Sequence, residues 1–209
     1  MNKFKTLALA ICLSFVASVA SAEVRMGVSV HAMMLESSGS ETLRQSSNVT
    51  NHTEKETAIV PSIFIEAVNS DGLGIGLDYV PVAELGEGTG QDDDAETSGA
   101  NKASAELASH STIYVIAQNE NGLFLKAGMA FADVDTTENL STGDSYGNAS
   151  TEGLMAGIGM SRDLDNGAFA RGELSYVDYD DISITSTGGS TVKASVDSVN
   201  LTFSIGKSF

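Results

Sequence analysis

From Val24 onward the chain alternates apolar residues with small or polar ones, the period-two signature of β-strands. The clearest run is Leu123 to Phe131, where Leu123, Leu125, Ala127, Met129 and Phe131 share one face and Phe124, Lys126, Gly128 and Ala130 the other. Leu154, Ala156, Ile158 and Met160 form a second apolar face, against Met155, Gly157 and Gly159. Near the C-terminus Val199, Leu201, Phe203 and Ile205 oppose Asn200, Thr202, Ser204 and Gly206.

Tight-turn sequences separate some of these runs: Asn69-Ser70-Asp71-Gly72, Asn119-Glu120-Asn121-Gly122 and Asp165-Asn166-Gly167. Each offers residues that tolerate positive φ, as hairpin turns require. Longer polar stretches separate the others: Ser37 to Lys55, Gly86 to Ala105, Thr136 to Ser150 and Asp181 to Ala194. Short and long connections alternate, which predicts eight antiparallel strands: Val24–Glu36, Glu56–Val68, Leu73–Leu85, Glu106–Gln118, Leu123–Asp135, Thr151–Leu164, Ala168–Asp180 and Ser195–Phe209. Several run near a dozen residues, enough for a tilted strand to cross a bilayer. An even strand number, short turns on one side and long loops on the other predict an all-β, eight-stranded, up-and-down transmembrane barrel. Both of its ends then lie at the periplasmic side, and the four long loops point out of the cell.

The first residues change the picture. Lys3 and Lys5, the apolar run Leu7 to Val16 and the small residues Ala20-Ser21-Ala22 read as a signal peptide, residues 1–22, cleaved after Ala22. The barrel domain is then 23–209. The one cysteine, Cys12, lies in that leader, so no disulfide is available afterwards. Formal charge is −17 and becomes −19 when Lys3 and Lys5 leave, with no basic patch for nucleic acid. A membrane-spanning chain without long apolar helices has one remaining option, a closed barrel whose backbone groups all pair.

The final strand, Val199-Asn200-Leu201-Thr202-Phe203-Ser204-Ile205-Gly206-Lys207-Ser208-Phe209, resembles those of the small bacterial outer-membrane barrels of the OmpA transmembrane-domain, OmpX and opacity-protein type. The resemblance implies that Leu201, Phe203, Ile205 and Phe209 form the signal read by the outer-membrane assembly machinery. Lys207 departs from the family's pattern, and a lysine at the boundary snorkels to headgroups. The resemblance further implies an outer-membrane location in a Gram-negative cell, contact with membrane lipid and a monomer. An extracellular ligand would bind through the loops.

If the apolar faces meet lipid, parity turns Arg25, Glu66, Asp78, Lys126, Arg171 and Glu173 inward, as a polar gate or as an ion-paired filling. Gly27, Gly74, Gly76, Gly128, Gly157 and Gly159 on the same faces leave room for them. Tyr79, Tyr114 and Tyr176 suit an interfacial aromatic belt. Asp92-Asp93-Asp94 with Glu96 lack the spacing of a calcium loop and read as solvated. Of His31, His52 and His110, only His110-Ser111 pairs a base with a nucleophile, and adjacent strand residues diverge. The expectation is therefore a non-enzymatic barrel without metal or cofactor, with a structural or surface-interaction role. The alternatives are a narrow pore, an outer-leaflet lipid-modifying enzyme, or a soluble lipocalin-like binder with apolar faces inward.

Overall fold

The computed structural model describes residues 22–42, 49–92 and 99–209. The expected leader lies outside the described residues except for Ala22. Asp93, Asp94 and Glu96 of the acidic loop also lie outside, while Asp92 ends a strand. Ten strand segments follow in order: β1 Glu23–Thr42, β2 Val49–Val68, β3 Leu73–Val80, β4 Ala83–Asp92, β5 Gly99–Gln118, β6 Leu123–Asn139, β7 Ala149–Asp163, β8 Ala168–Tyr179, β9 Ile182–Thr185 and β10 Thr191–Ser208. Every ladder is antiparallel, and β1 pairs with β10, so the sheet closes. The eight walls are β1, β2, β3 with β4, β5, β6, β7, β8 with β9, and β10. One predicted strand, Leu73–Leu85, is broken at Pro81-Val82, and within the loop expected over Asp181 to Ala194 a short further strand, β9, follows Asp180-Asp181.

The register fixes the barrel's pitch. Starting at Arg25, ladder partners lead through Glu66, Gly76, Tyr114, Gly128, Met155, Val177 and Ser198 back to Leu35, ten residues further along β1. That stagger tilts the strands by roughly 40° and leaves an interior just wide enough for side chains to fill.

Two of the three short turns are built alike. Asn69 Oδ1 accepts the backbone N–H groups of Asp71 and Leu73, and Asn119 Oδ1 those of Asn121 and Leu123. Gly72 and Gly122 close these turns at φ of 77° and 85°, conformations that glycine alone adopts cheaply.

Strands run further than the alternation predicted, because β1 and β2 extend to Thr42 and from Val49, β5 starts at Gly99 and β6 ends at Asn139. In these extensions both faces are polar, so hydrogen-bonded strand continues where the hydropathy signal vanishes. The long loop expected over Thr136 to Ser150 contracts to residues 140–148.

Outward positions are apolar over the lower part of the barrel: Val24, Met26, Val28, Val30 and Met34 on β1, Ile59, Ile63 and Ile65 on β2, and Val199, Leu201, Phe203 and Ile205 on β10 are all exposed. The span from Val24 to Met34, at about 3.4 Å per residue and a tilt of about 40°, rises about 26 Å. Above it, outward positions turn charged, with Glu36, Lys55, Asp133 and Asp178 exposed. The lipocalin-like alternative needed the inverse orientation, and these exposures overturn it.

Candidate functional site: the filled bore

Four of the six charges that parity turned inward meet in one layer. Arg171 on β8 donates from both terminal nitrogens to Glu66 on β2, at 2.6 and 3.0 Å. Lys126 on β6 lies 2.8 Å from Glu173 Oε2 and 3.8 Å from Glu66 Oε1. The Glu66 and Arg171 side chains are 0% and 1% exposed, so two acids and two bases neutralise one another away from solvent. Asp78 and Arg25 do not join them. Arg25 sits near the periplasmic rim and bonds Glu23 and Gln118.

Tyr114 corrects a sequence expectation. It does not belong to an interfacial belt: it is 1% exposed, points into the bore and donates its phenol hydrogen to Glu66 Oε1 at 2.7 Å. The run Ile113-Tyr114-Val115-Ile116 is apolar on both faces, so alternation there could not tell inside from outside. Two glycines make its slot. A Cβ on Gly76 would meet the Tyr114 ring at 2.5 Å, and one on Gly128 its Cβ at 2.8 Å. Tyr79 and Tyr176 do point outward, at 41% and 46% exposed.

Aromatic rings floor this layer. Phe64, Phe124 and Phe169 are buried, and the Arg171 guanidinium lies 4.9 Å from the Phe124 centroid and 5.0 Å from that of Phe169. Lys126 sits 4.2 Å from the Tyr114 centroid. These cation–π contacts fill the section of the bore that the ion pairs leave open.

A second polar cluster, which alternation gave no means to foresee, lies beside it. His31 on β1 bonds Thr202 Oγ1 through Nδ1 and Ser62 Oγ through Nε2, at 2.9 and 2.8 Å. Ser62 donates to Asp78 Oδ2 at 2.8 Å. Residue types match a nucleophile, base and acid, but the connections do not. The serine hydrogen goes to the carboxylate, and His31 bonds Thr202 rather than Asp78 through Nδ1, so the three are not connected as a serine–histidine–acid relay. The His110-Ser111 pair diverges: His110 turns inward to the Tyr179 hydroxyl at 3.0 Å.

Between the clusters lies a cavity of about 50 Å³, lined by His31, Asp78, His110, Lys126, Arg171 and Glu173 among others. His110 Nδ1 and Arg171 Nε are buried without a protein partner. Above it Met33, Ala58, Val60, Val80, Leu107 and Tyr179 belong to one buried cluster, with the buried polar side chains of His110, Ser198 and Asn200 among them. Among the described residues no group of histidine, cysteine or carboxylate side chains is arranged to hold a metal ion.

Phe209 ends the closing strand. Its N–H donates to Val24 O at 2.9 Å, its ring is 70% exposed, and the Lys207 ammonium lies 5.7 Å from the ring centroid. Leu201, Phe203 and Ile205 share its outward face.

No known protein family and no curated protein matches the sequence. Among solved structures, the chain is similar to the outer membrane protein OprG from Pseudomonas aeruginosa, with a TM-score of 0.53 and 12% identity, covering 88% of this chain and 96% of that one. It is also similar to the outer membrane protein AlkL, solved in DMPC lipid bilayers, at TM-score 0.48, 10% identity and 90% coverage of both chains. The outer membrane protease OmpT from Escherichia coli matches at TM-score 0.45 and 10% identity, covering 90% of this chain and 97% of that one. The OprG likeness identifies the fold as that of the small outer-membrane β-barrels.

Proposed function

We propose that this chain is an integral outer-membrane barrel of a Gram-negative cell that conducts nothing through its bore and acts at the cell surface through its outer loops. The observation that carries this reading is the pairing of an apolar exterior with a bore filled by the Glu66, Arg171, Lys126, Glu173 and Tyr114 layer over three phenylalanines. Apolar side chains outside and compensated charges inside suit lipid outside and no water path within. The same filling favours an ion-paired core over a gate.

Fractionation and planar-bilayer recording test the two halves separately. The protein should leave the outer membrane only with detergent, and purified folded protein should give no conductance steps above background. Recovery from the soluble periplasm would overturn the location; steady unitary currents would overturn the closed bore.

A further inference from the structure

Two cations stand on the outer surface at the periplasmic end of the barrel, one on each side of β8. Arg162 on β7 and Lys207 on β10 both occupy outward positions and are exposed. Arg162 lies opposite Ala170 and Lys207 opposite Ala168, so a single strand separates them. Two strand spacings and a two-residue offset put their Cα atoms about 12 Å apart, within which two such long side chains reach one group between them. Among the described residues neither forms an ion pair, although the chain's formal charge is −17. The other described cations face the bore, as Arg25, Lys126 and Arg171 do, or stand in the outer part of the barrel, as Lys55, Lys102 and Lys193 do.

Between the two, β8 presents a trough. Its outward residues there are Ala168, Ala170 and Gly172, each half-buried. Met160 borders Gly172 from β7, while Phe203 and Ile205 border Gly172 and Ala170 from β10, at 59%, 63% and 65% exposed. Ridges of large side chains therefore flank a floor of the smallest ones. Nothing in the chain fills the space over Gly172: a Cβ there would meet one atom within 4 Å, Phe203 Cε1 at 3.9 Å. By contrast a Cβ on the bore glycines Gly27, Gly128 or Gly159 would meet an atom at 2.3 Å. The floor runs about 14 Å along the strand, close to the hydrocarbon depth of one leaflet, about 15 Å. Leu174, exposed, closes its upper end.

We propose that this trough and its two cations bind one anionic phospholipid of the periplasmic leaflet, its phosphate held between Arg162 and Lys207 and one acyl chain laid over Ala168, Ala170 and Gly172. Charge selects the occupant. A phosphodiester offers acceptor oxygens to both cations, and a guanidinium takes two of them at once. A zwitterionic headgroup brings its own ammonium back towards the two cations, so a headgroup of net negative charge is favoured. Asp163 follows Arg162 but points to the opposite side of β7, and Asp165 lies beyond it in the turn. The site rests on the membrane reading above.

The chain has no tryptophan, so single-tryptophan variants report one position each. Phe203→Trp puts the probe in the trough wall, and Leu77→Trp puts one on the lipid face of β3, across the barrel from β8. The vesicles are phosphatidylcholine with a minor share of phosphatidylglycerol, and one lipid or the other carries brominated acyl chains. Each reading is scaled to vesicles of brominated phosphatidylcholine alone, which should quench both probes. With brominated phosphatidylglycerol, F203W is expected to be quenched several-fold more than L77W. With brominated phosphatidylcholine and plain phosphatidylglycerol the order should reverse. Adding Arg162→Gln and Lys207→Gln should make the two probes equal in both arms. Should the Lys207 variant not assemble, Arg162→Gln alone, outside the closing strand, should still shrink the difference. Equal quenching of F203W and L77W in the parent background would overturn the site, as would a difference that survives the glutamine replacements. Emission from both probes untouched by brominated phosphatidylcholine would instead overturn the membrane reading, and the site with it.

Discussion

Arg171 grips both carboxylate oxygens of Glu66 across the bore, joining β8 to β2, which are not neighbours in the wall. Removing Glu66 leaves the buried Arg171 guanidinium without its bidentate partner, and removing Arg171 leaves the buried Glu66 carboxylate with only Tyr114 and the more distant Lys126. Glu66→Ala or Arg171→Ala should each cost about 3–5 kcal/mol. The measurement is urea unfolding in detergent micelles followed by heat-modifiable gel mobility. Replacing both by apolar residues of similar size should cost markedly less than either single change.

Tyr114 adds a hydrogen bond to the same carboxylate. Tyr114→Phe keeps the ring over Lys126 and removes that bond, for a loss of about 1.5–3 kcal/mol in the same assay. Gly128→Ala should unfold the barrel more readily than this, because its Cβ would fall on the Ile113 carbonyl oxygen as well as on Tyr114.

Tyr146, in the β6–β7 connection, donates to Glu41 at the outer end of β1. Burial and then the Glu41 carboxylate raise its pKa above the ordinary tyrosine value. Folded protein holds this proton more tightly than unfolded chain, so the stability it contributes is present below about pH 10 and is lost as pH rises from there towards the folded value. The difference in phenolate absorbance between the parent protein and Tyr146→Phe should show this tyrosine titrating above the ordinary value. Glu41→Gln should bring that tyrosine's titration to lower pH.

Deleting Phe209 removes the outermost apolar residue of the closing strand and its hydrogen bond to Val24. Export should continue while assembly into the outer membrane falls, seen as unfolded protein accumulating in the periplasmic fraction. Normal yield of folded, membrane-inserted protein would show that the terminal ring is dispensable.

The alternation of apolar and small residues carried the fold because the barrel has lipid on one side and paired charges on the other. Where that contrast holds, as in Leu123 to Phe131 and Val199 to Ile205, inside and outside are legible residue by residue. It fails in two ways. Tyr114 sits in a run apolar on both faces, and only the glycines opposite, Gly76 and Gly128, marked a large ring facing inward. The strand extensions beyond Glu36 and before Glu56 have water on both faces, so their pairing left no hydropathy trace. The inward charges were legible as a set, but which of them touch depends on the ten-residue stagger. Stagger brings Glu66 to Arg171 and leaves Arg25 apart, and it cannot be read one strand at a time. Ser62 and Asp78 meet His31 for the same reason.

The ladder between β1 and β10, from Arg25 opposite Ser208 to Thr42 opposite Thr191, joins the first strand to the last. Residues such as Ser29 and Ser204, bonded at 2.8 Å across it, are separated by nearly the whole domain in sequence. No shorter piece of the chain is a barrel, because every incomplete sheet keeps two open edges of unpaired backbone groups. Folding therefore ends in its most distant contact, which makes it intrinsically slow. Until that last step the chain is an aggregation hazard, and it depends on being held while β10 finds β1.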